Sequence, residues 1–391
     1  MNQIQPAQRL ESVKEYYFSA KLKEIADMNS RGLKVISLGV GSPDSAPDTS
    51  VVEKLCSVAR EKDAHGYQPY MGIKELREAF ARWYETYFGV RLDPSGELLP
   101  LIGSKEGILH ISLAFLNPGD GVLVPNPGYP SYTSVSRLLG ATVKSYKLDP
   151  QRAWAPDFEA LEQMDLSGVK LMWVNYPNMP TGARGSLALF ERLVHFAQKR
   201  GIVVVNDNPY SFILNEERLS ILRIPGAKEF CIELNSLSKS HNMPGWRMGV
   251  LASNANFVEW VLRVKSNIDS GQFKAMQLAA ASALNLPEDW HREYNCRLYR
   301  RRRAYAEEIM QLLACSYDPD QTGMFLWGKV PEAYRDAAEL ADKLLYEAGV
   351  FVTPGFIFGT AGEKYIRISL CASEEKLAEA LERIGKLTTK A

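Results

Sequence analysis

One stretch of the chain concentrates groups that can act together: Ser236-Leu237-Ser238-Lys239-Ser240-His241-Asn242, then Pro244-Gly245-Trp246-Arg247-Met248-Gly249. A lysine just past a buried strand, at the C-terminal edge of a parallel sheet, sits where α/β proteins form ligand crevices. Ser236, Ser238 and Arg247 supply hydroxyls and a guanidinium that suit a phosphate dianion. A lysine held in such a partly desolvated, cationic place has a depressed pKa and can form a Schiff base. Standing alone, Lys239 reads as an ordinary surface lysine, so its company decides.

That company is specific. Asp207-Asn208-Pro209-Tyr210 closes the apolar run Ile202–Val205, again at a strand's C-terminal end. A carboxylate there can pair with a protonated pyridine nitrogen, and Tyr210, three residues on, can reach a phenolic oxygen of the same ring. By itself Asp207 is as readily a helix cap or a turn residue. Gly103-Ser104-Lys105-Glu106-Gly107 follows a strand and opens a helix, whose free N–H groups and dipole make an anion site. In isolation Ser104 is merely a good N-cap.

The elements that must hold these residues alternate. Leu98–Ile102 reads as a strand leading into a helix from Ser104, and Gly121–Val124 as a strand before a helix after Pro130. Ala141–Tyr146, Val169–Val174, Ile202–Val205 and Phe230–Leu234 are further strand runs, with LALFERLVHFAQKRG helical between the second and third. Runs buried on both faces and alternating with helices predict a doubly wound, mostly parallel α/β sheet. Residues 10–31 read as a helix ended by Gly32, in which Tyr16, Tyr17 and Phe18 either face the site or pack, with packing the preferred reading. A short strand at Val35–Leu38 follows. After residue 285 or so the character changes to an α+β tail: a charged helix over 288–314, a strand at 324–330, a helix over 334–348, a strand at 365–369 and a last helix. The expected division is an N-terminal arm (1–44) packing with the small domain, a large domain (45–285) and a small C-terminal domain (286–391).

Composition narrows the function. The 391 residues carry 46 Lys+Arg against 46 Asp+Glu, so no cationic surplus speaks for a general polyanion binder, and no nucleic-acid partner is expected. Arg300–Arg303 is answered by Glu307 and Glu308 and reads as a solvated helix face. GVGSPD lacks the third glycine of a dinucleotide loop, and Pro43 breaks it where a helix should open. The five cysteines lie far apart without CxxC spacing, and no two of the five histidines stand at i, i+4. Neither a disulfide scaffold nor a metal site is expected, and a reducing cytoplasm fits. No apolar run approaches the ~20 residues that cross a membrane, so no membrane partner is expected.

Together the motifs resemble the fold-type I pyridoxal-phosphate enzymes, specifically the class I/II aminotransferases. The resemblance runs from Leu38-Gly39-Val40-Gly41-Ser42-Pro43-Asp44 to Tyr365-Ile366-Arg367-Ile368-Ser369-Leu370, in family order and spacing. It implies pyridoxal 5′-phosphate as cofactor, Lys239 as its Schiff-base lysine and proton shuttle, Asp207 on the pyridine nitrogen and Tyr210 on the 3′-oxygen. It implies that Ser104 and Lys105 (through backbone amides), Ser236, Ser238 and Arg247 hold the phosphate, and that Tyr129 stacks on the ring. Tyr67 would reach the phosphate of a neighbouring subunit, making a homodimer with shared sites. Arg367 would take the substrate α-carboxylate, with Gly41 against it. The activity implied is amino transfer between an α-amino acid and a 2-keto acid by a ping-pong course. A β-eliminating lyase or a synthase on the same scaffold, or a sensor of cofactor or amino acid, is the alternative. One departure stands out. The family carries asparagine immediately before Pro-Thr-Gly, whereas here Asn175-Tyr176-Pro177-Asn178-Met179-Pro180-Thr181-Gly182 places Met179 there.

Overall fold

The computed structural model describes residues 4–13 and 17–389. Tyr16 lies outside the described residues. Strands β1 (Ile36–Ser37), β2 (Leu98–Leu101), β3 (Gly121–Asn126), β4 (Thr142–Lys147), β5 (Val169–Val174), β6 (Val203–Asp207), β7 (Cys231–Ser236) and β8 (Gly249–Ala252) come first. All but β1 form one seven-stranded sheet in the order β2-β8-β7-β6-β5-β3-β4. The pairs among β7, β6, β5, β3 and β4 are parallel, whereas β8 runs antiparallel to both β7 and β2. Period-2 alternation buries both faces: Leu171, Trp173 and Val205 pack on one side, Met172, Val174 and Val204 on the other.

Helices α1 (Tyr17–Ser30), α2 (Thr49–Val58) and α3 (Lys74–Phe88) precede the sheet. α4 (Ser104–Phe115), α5 (Pro130–Leu138), α6 (Phe158–Gln163) and α7 (Leu187–Arg200) connect its parallel strands, and α8 (Leu237–Ser240), α9 (Ala255–Lys265) and α10 (Lys274–Ala283) complete this part. The expected α1 starts later than residue 10, after a separate 3-10 turn over Gln8–Ser12. The sequence pattern does not single out α2 and α3. Yet α3 buries Leu76, Ala79, Phe80 and Trp83, an i, i+3, i+4, i+7 stripe open to a periodicity search.

The C-terminal third carries α11 (Glu288–His291), α12 (Leu298–Leu312), α13 (Ala337–Ala348) and α14 (Glu374–Thr388) with strands β9 (Ser316–Tyr317), β10 (Phe325–Lys329), β11 (Val350–Phe351), β12 (Thr353–Pro354) and β13 (Tyr365–Ser369). An antiparallel sheet in the order β12-β13-β10-β9 is its centre. The helix expected over 288–314 is interrupted by a π-helical stretch at Arg292–Arg297. There Asn295 donates from Nδ2 to Ser240 O at 2.8 Å and accepts from Leu214 N at 3.0 Å, tertiary partners that support the widened turn. Two N-terminal elements touch this third: β1 pairs with β11, and Ile25 and Met28 of α1 pack on Leu345 and Phe351.

Candidate active site

A cavity of about 510 Å³ opens at the C-terminal ends of β5, β6 and β7, between the large sheet, the β10–β13 sheet and α1. It is lined by Gly41, Ser104, Lys105, Tyr129, Asp207, Tyr210, Ser236, Ser238, Lys239, Arg247 and Arg367, all singled out by residue type, spacing or resemblance. Tyr67 is not among the lining residues; its side chain is 94% exposed on this chain.

Each group is placed by its own element. Asp207 is the last residue of β6, where the strand ends and the carboxylate turns into the cavity. Burial pushes that carboxyl up to about 6, although Tyr132 Oη donates to Oδ2 at 2.9 Å and works the other way. Oδ1 is buried and has no hydrogen-bond partner among the described residues. Lys239 lies in the single turn of α8, whose N-cap is Ser236: its Oγ accepts from Ser238 N at 3.2 Å. Burial lowers the Lys239 pKa against the opposing field of Cys371, and Arg367 and Arg247 lower it further. Its Nζ donates to Gly41 O. Burial likewise raises the Tyr210 phenol.

The anion cradle is built from close approaches. Arg247, at φ +52, donates from Nη1 to Ser238 Oγ at 3.3 Å and to Pro244 O at 2.8 Å. Its guanidinium lies so tightly against Gly103 that a Cβ there would sit 2.2 Å from Nη2. Gly249 is equally required, since its Cβ would meet Ser104 N at 2.8 Å. Three hydroxyls, one guanidinium and the first N–H groups of α4 therefore face one spot.

On the opposite wall, Arg367 of β13 is 4% exposed. Nη2 donates to Gly39 O at 2.8 Å and Nη1 to Met179 Sδ at 3.2 Å. The rings of Phe325 and Phe358 flank its guanidinium at 3.8 and 4.7 Å. A Cβ on Gly41 would strike Phe325 Cζ at 2.3 Å, which is why glycine stands there.

Among the lining residues that the sequence pattern does not place in the site are Tyr132, Asn175, Phe325 and Phe18. Tyr132 anchors Asp207 and stacks on Trp173 with ring centroids 4.9 Å apart; its i, i+3 spacing from Tyr129 at the start of α5 is the signal that finds it. Asn175 donates from Nδ2 to Asp207 O, while its Oδ1 accepts from Met179 N at 2.7 Å. Phe325 carries no sequence signal beyond its hydrophobicity. Phe18, read as packing, lines the cavity instead, because α1 lies across its mouth; Tyr17 does pack, edge-on to Phe356. Asn178 points away, bonding Asn175 O and Thr181, and does not replace an amide at position 179.

The arrangement fits pyridoxal 5′-phosphate: an orphaned buried carboxylate oxygen, a cationic hydroxyl-rich cradle and a lysine amine share one cavity. On a doubly wound sheet, this set defines a fold-type I pyridoxal-phosphate enzyme. The family model for aminotransferase class I and II matches residues 34–384, and the chain belongs to that family. It is 41% identical over 387 residues to an LL-diaminopimelate aminotransferase of Dehalococcoides mccartyi, covering 98% of this chain and 99% of the relative. It is also 41% identical over 382 residues to the Aquifex aeolicus protein of that name, covering 97% and 98%. Among solved structures, apo-BacF from Bacillus subtilis superposes with a TM-score of 0.94 at 32% identity over 99% and 98% of the two chains. A mutant Thermus thermophilus aspartate aminotransferase superposes at 0.90 and 27% identity over 98% and 100%. The chain is thus a pyridoxal-phosphate-dependent aminotransferase, moving an amino group between an α-amino acid and a 2-keto acid.

Proposed function

We propose that Lys239, Asp207 and Arg367 divide the work of this aminotransferase, and that the observation carrying the assignment is their convergence on one cavity. Bound pyridoxal phosphate supplies a ring that withdraws electrons from the substrate Cα. Asp207, its direction fixed by Tyr132 and Asn175, would pair with the ring nitrogen, and Tyr210 would answer the 3′-oxygen. Lys239 would hold the cofactor through its amine and would move the proton at the substrate Cα; burial, which lowers its pKa, favours the neutral amine that this role needs. Arg367 exchanges its weak thioether contact for the two oxygens of the α-carboxylate and so orients the Cα–H bond. Ser104, Lys105, Ser236, Ser238 and Arg247 hold the phosphate, and Tyr129 covers the ring.

The first donor to try is LL-diaminopimelate, named for relatives at 41% identity. A second reading rests on Phe18 and Leu22 of α1, which give the cavity an apolar flank suited to aromatic or aliphatic side chains. Titrating the coloured holoenzyme with each amino acid and following the visible band decides between them: the preferred donor bleaches it at the lowest concentration. Release of ammonia and pyruvate without an acceptor would instead select elimination.

The working unit is a homodimer in which Tyr67 completes the partner's phosphate site; the exposed ring supports this reading. Five unpaired cysteines support a cytoplasmic setting. We further take residues 45–285 as the large domain and 286–391 as the small one, with 1–44 packing on the latter. The separate sheets and the β1–β11 pair support that division.

A further inference from the structure

Behind the phosphate cradle lies a charged cluster that the reaction does not use directly. Glu106 follows Lys105 in the first turn of α4, and its Oε2 accepts from Ile102 N at 2.5 Å, which fixes the strand-to-helix turn holding Gly103 and Ser104. One turn on, the fully buried His110 places Nε2 3.2 Å from Glu106 Oε1 and 3.5 Å from Asp269 Oδ2. The other oxygen of Asp269 holds the Lys265 ammonium. From Asp269 the chain runs directly to Gly271, which bridges to Gln68 beside Tyr67, and to Gln272, whose Nε2 donates to Arg247 O at 2.8 Å. Gly271 can only be glycine here, since a Cβ would meet Gln68 O at 2.5 Å.

The two arms of the cradle come from segments some 140 residues apart, the α4 turn and Arg247, yet the arginine must rest on Gly103 with no room to spare. Each arm hangs from one end of the cluster: the α4 turn from Glu106, and the Arg247 backbone, through Gln272, from the Asp269 loop. We propose that Glu106, His110, Asp269 and Lys265 form a positioning network that sets the spacing of the phosphate cradle and carries the Tyr67 segment in register with it. Glu106, His110 and Asp269 also stand close enough together to hold a metal ion. Lys265, already seated on Asp269, supplies the positive charge in its place. Burial raises the Glu106 carboxyl, but the nearby His110 and Asp269 and the Ile102 N–H outweigh it and hold the group low, while burial and Glu106 push Asp269 up.

The inference rests on the reading of the cradle as a phosphate site, so the test separates the two. The apoprotein is titrated with pyridoxal phosphate and with pyridoxal, which lacks the phosphate, and the 31P resonance of the bound cofactor is recorded. Glu106→Gln and Asp269→Asn are each expected to weaken pyridoxal phosphate about tenfold, the loss of one charge-assisted bond. Pyridoxal affinity should hold within twofold, and the 31P signal should shift. Equal weakening of both ligands would overturn the network by making the variants merely destabilised, and so would no change in either. Chelator dialysis of the wild type should leave the ratio of the two affinities intact; its collapse would put a metal where Lys265 is assigned. Arg247→Ala tests the underlying reading: if it leaves that ratio unchanged, the cradle assignment fails and the network is not at issue.

Discussion

The two walls of the cavity are made differently. The cofactor wall is dense in short-range hydrogen bonds: Ser236 caps its own turn, Arg247 reaches back to Ser238 and Pro244, and Asp207 ends the strand that delivers it. The Arg367 wall is assembled from distant segments: the rings of Phe18, Phe325 and Phe358, the Met179 thioether and the Gly39 carbonyl are among the groups around the guanidinium. A group that stays bound through every turnover is met by fixed, charge-assisted partners. A carboxylate that arrives and leaves would, on the proposed roles, be met by an arginine that lies among aromatic rings and a weak thioether acceptor.

Substitutions that break this contrast differ in size. Lys239→Ala should reduce kcat by about 10⁴-fold, because one group both joins the cofactor and moves the proton. Cofactor should remain bound through the cradle, as equilibrium dialysis would show. Asp207→Asn should reduce kcat by about 10²–10³-fold, the loss of a buried charged partner worth roughly 3–4 kcal/mol in the reaction.

The same change should act in the opposite sense on the cofactor-free fold. The Asp207 carboxyl is raised to about 6 by burial, so the folded protein holds that proton more tightly than the unfolded chain does. Its penalty is absent below pH 4, grows up to pH 6 and is full above it, reaching on the order of 3 kcal/mol. Apo Asp207→Asn should therefore melt higher than wild type at pH 8 and equally at pH 4, read by differential scanning calorimetry.

On the other wall, Arg367→Lys removes the planar fork. It should raise KM for amino and keto acids alike by roughly 10–100-fold while cofactor affinity stays put. The smallest effect belongs to Met179→Asn, which replaces a weak sulfur acceptor by an amide. A neutral hydrogen bond contributes about 1 kcal/mol, so steady-state constants should move by less than about tenfold. A larger change would mean that the thioether does more than rest on Arg367.

The same contrast explains what the amino-acid sequence shows. The cofactor wall was legible because its residues are local: Ser236, Ser238, Lys239 and Arg247 fall within twelve positions, and Asp207 and Tyr210 within four. The sheet was legible for the same reason, since strands buried on both faces write continuous apolar runs. Phe18 and Phe325 were not, because nothing local marks a hydrophobic side chain that tertiary packing brings onto a distant arginine. The π stretch at Arg292–Arg297 was equally hidden; its cause is Asn295 reaching Ser240, a partner 55 positions away. Tyr132 lies between these cases, readable only once Tyr129 has been placed.

The account stands on Lys239 being the group that takes the cofactor. Borohydride reduction of the holoenzyme followed by peptide mass mapping tests this directly. A pyridoxyl-phosphate mass on the peptide containing Lys239, and on no other, is the predicted result; the label on a different lysine, or none on a protein that retains its visible band, would contradict it.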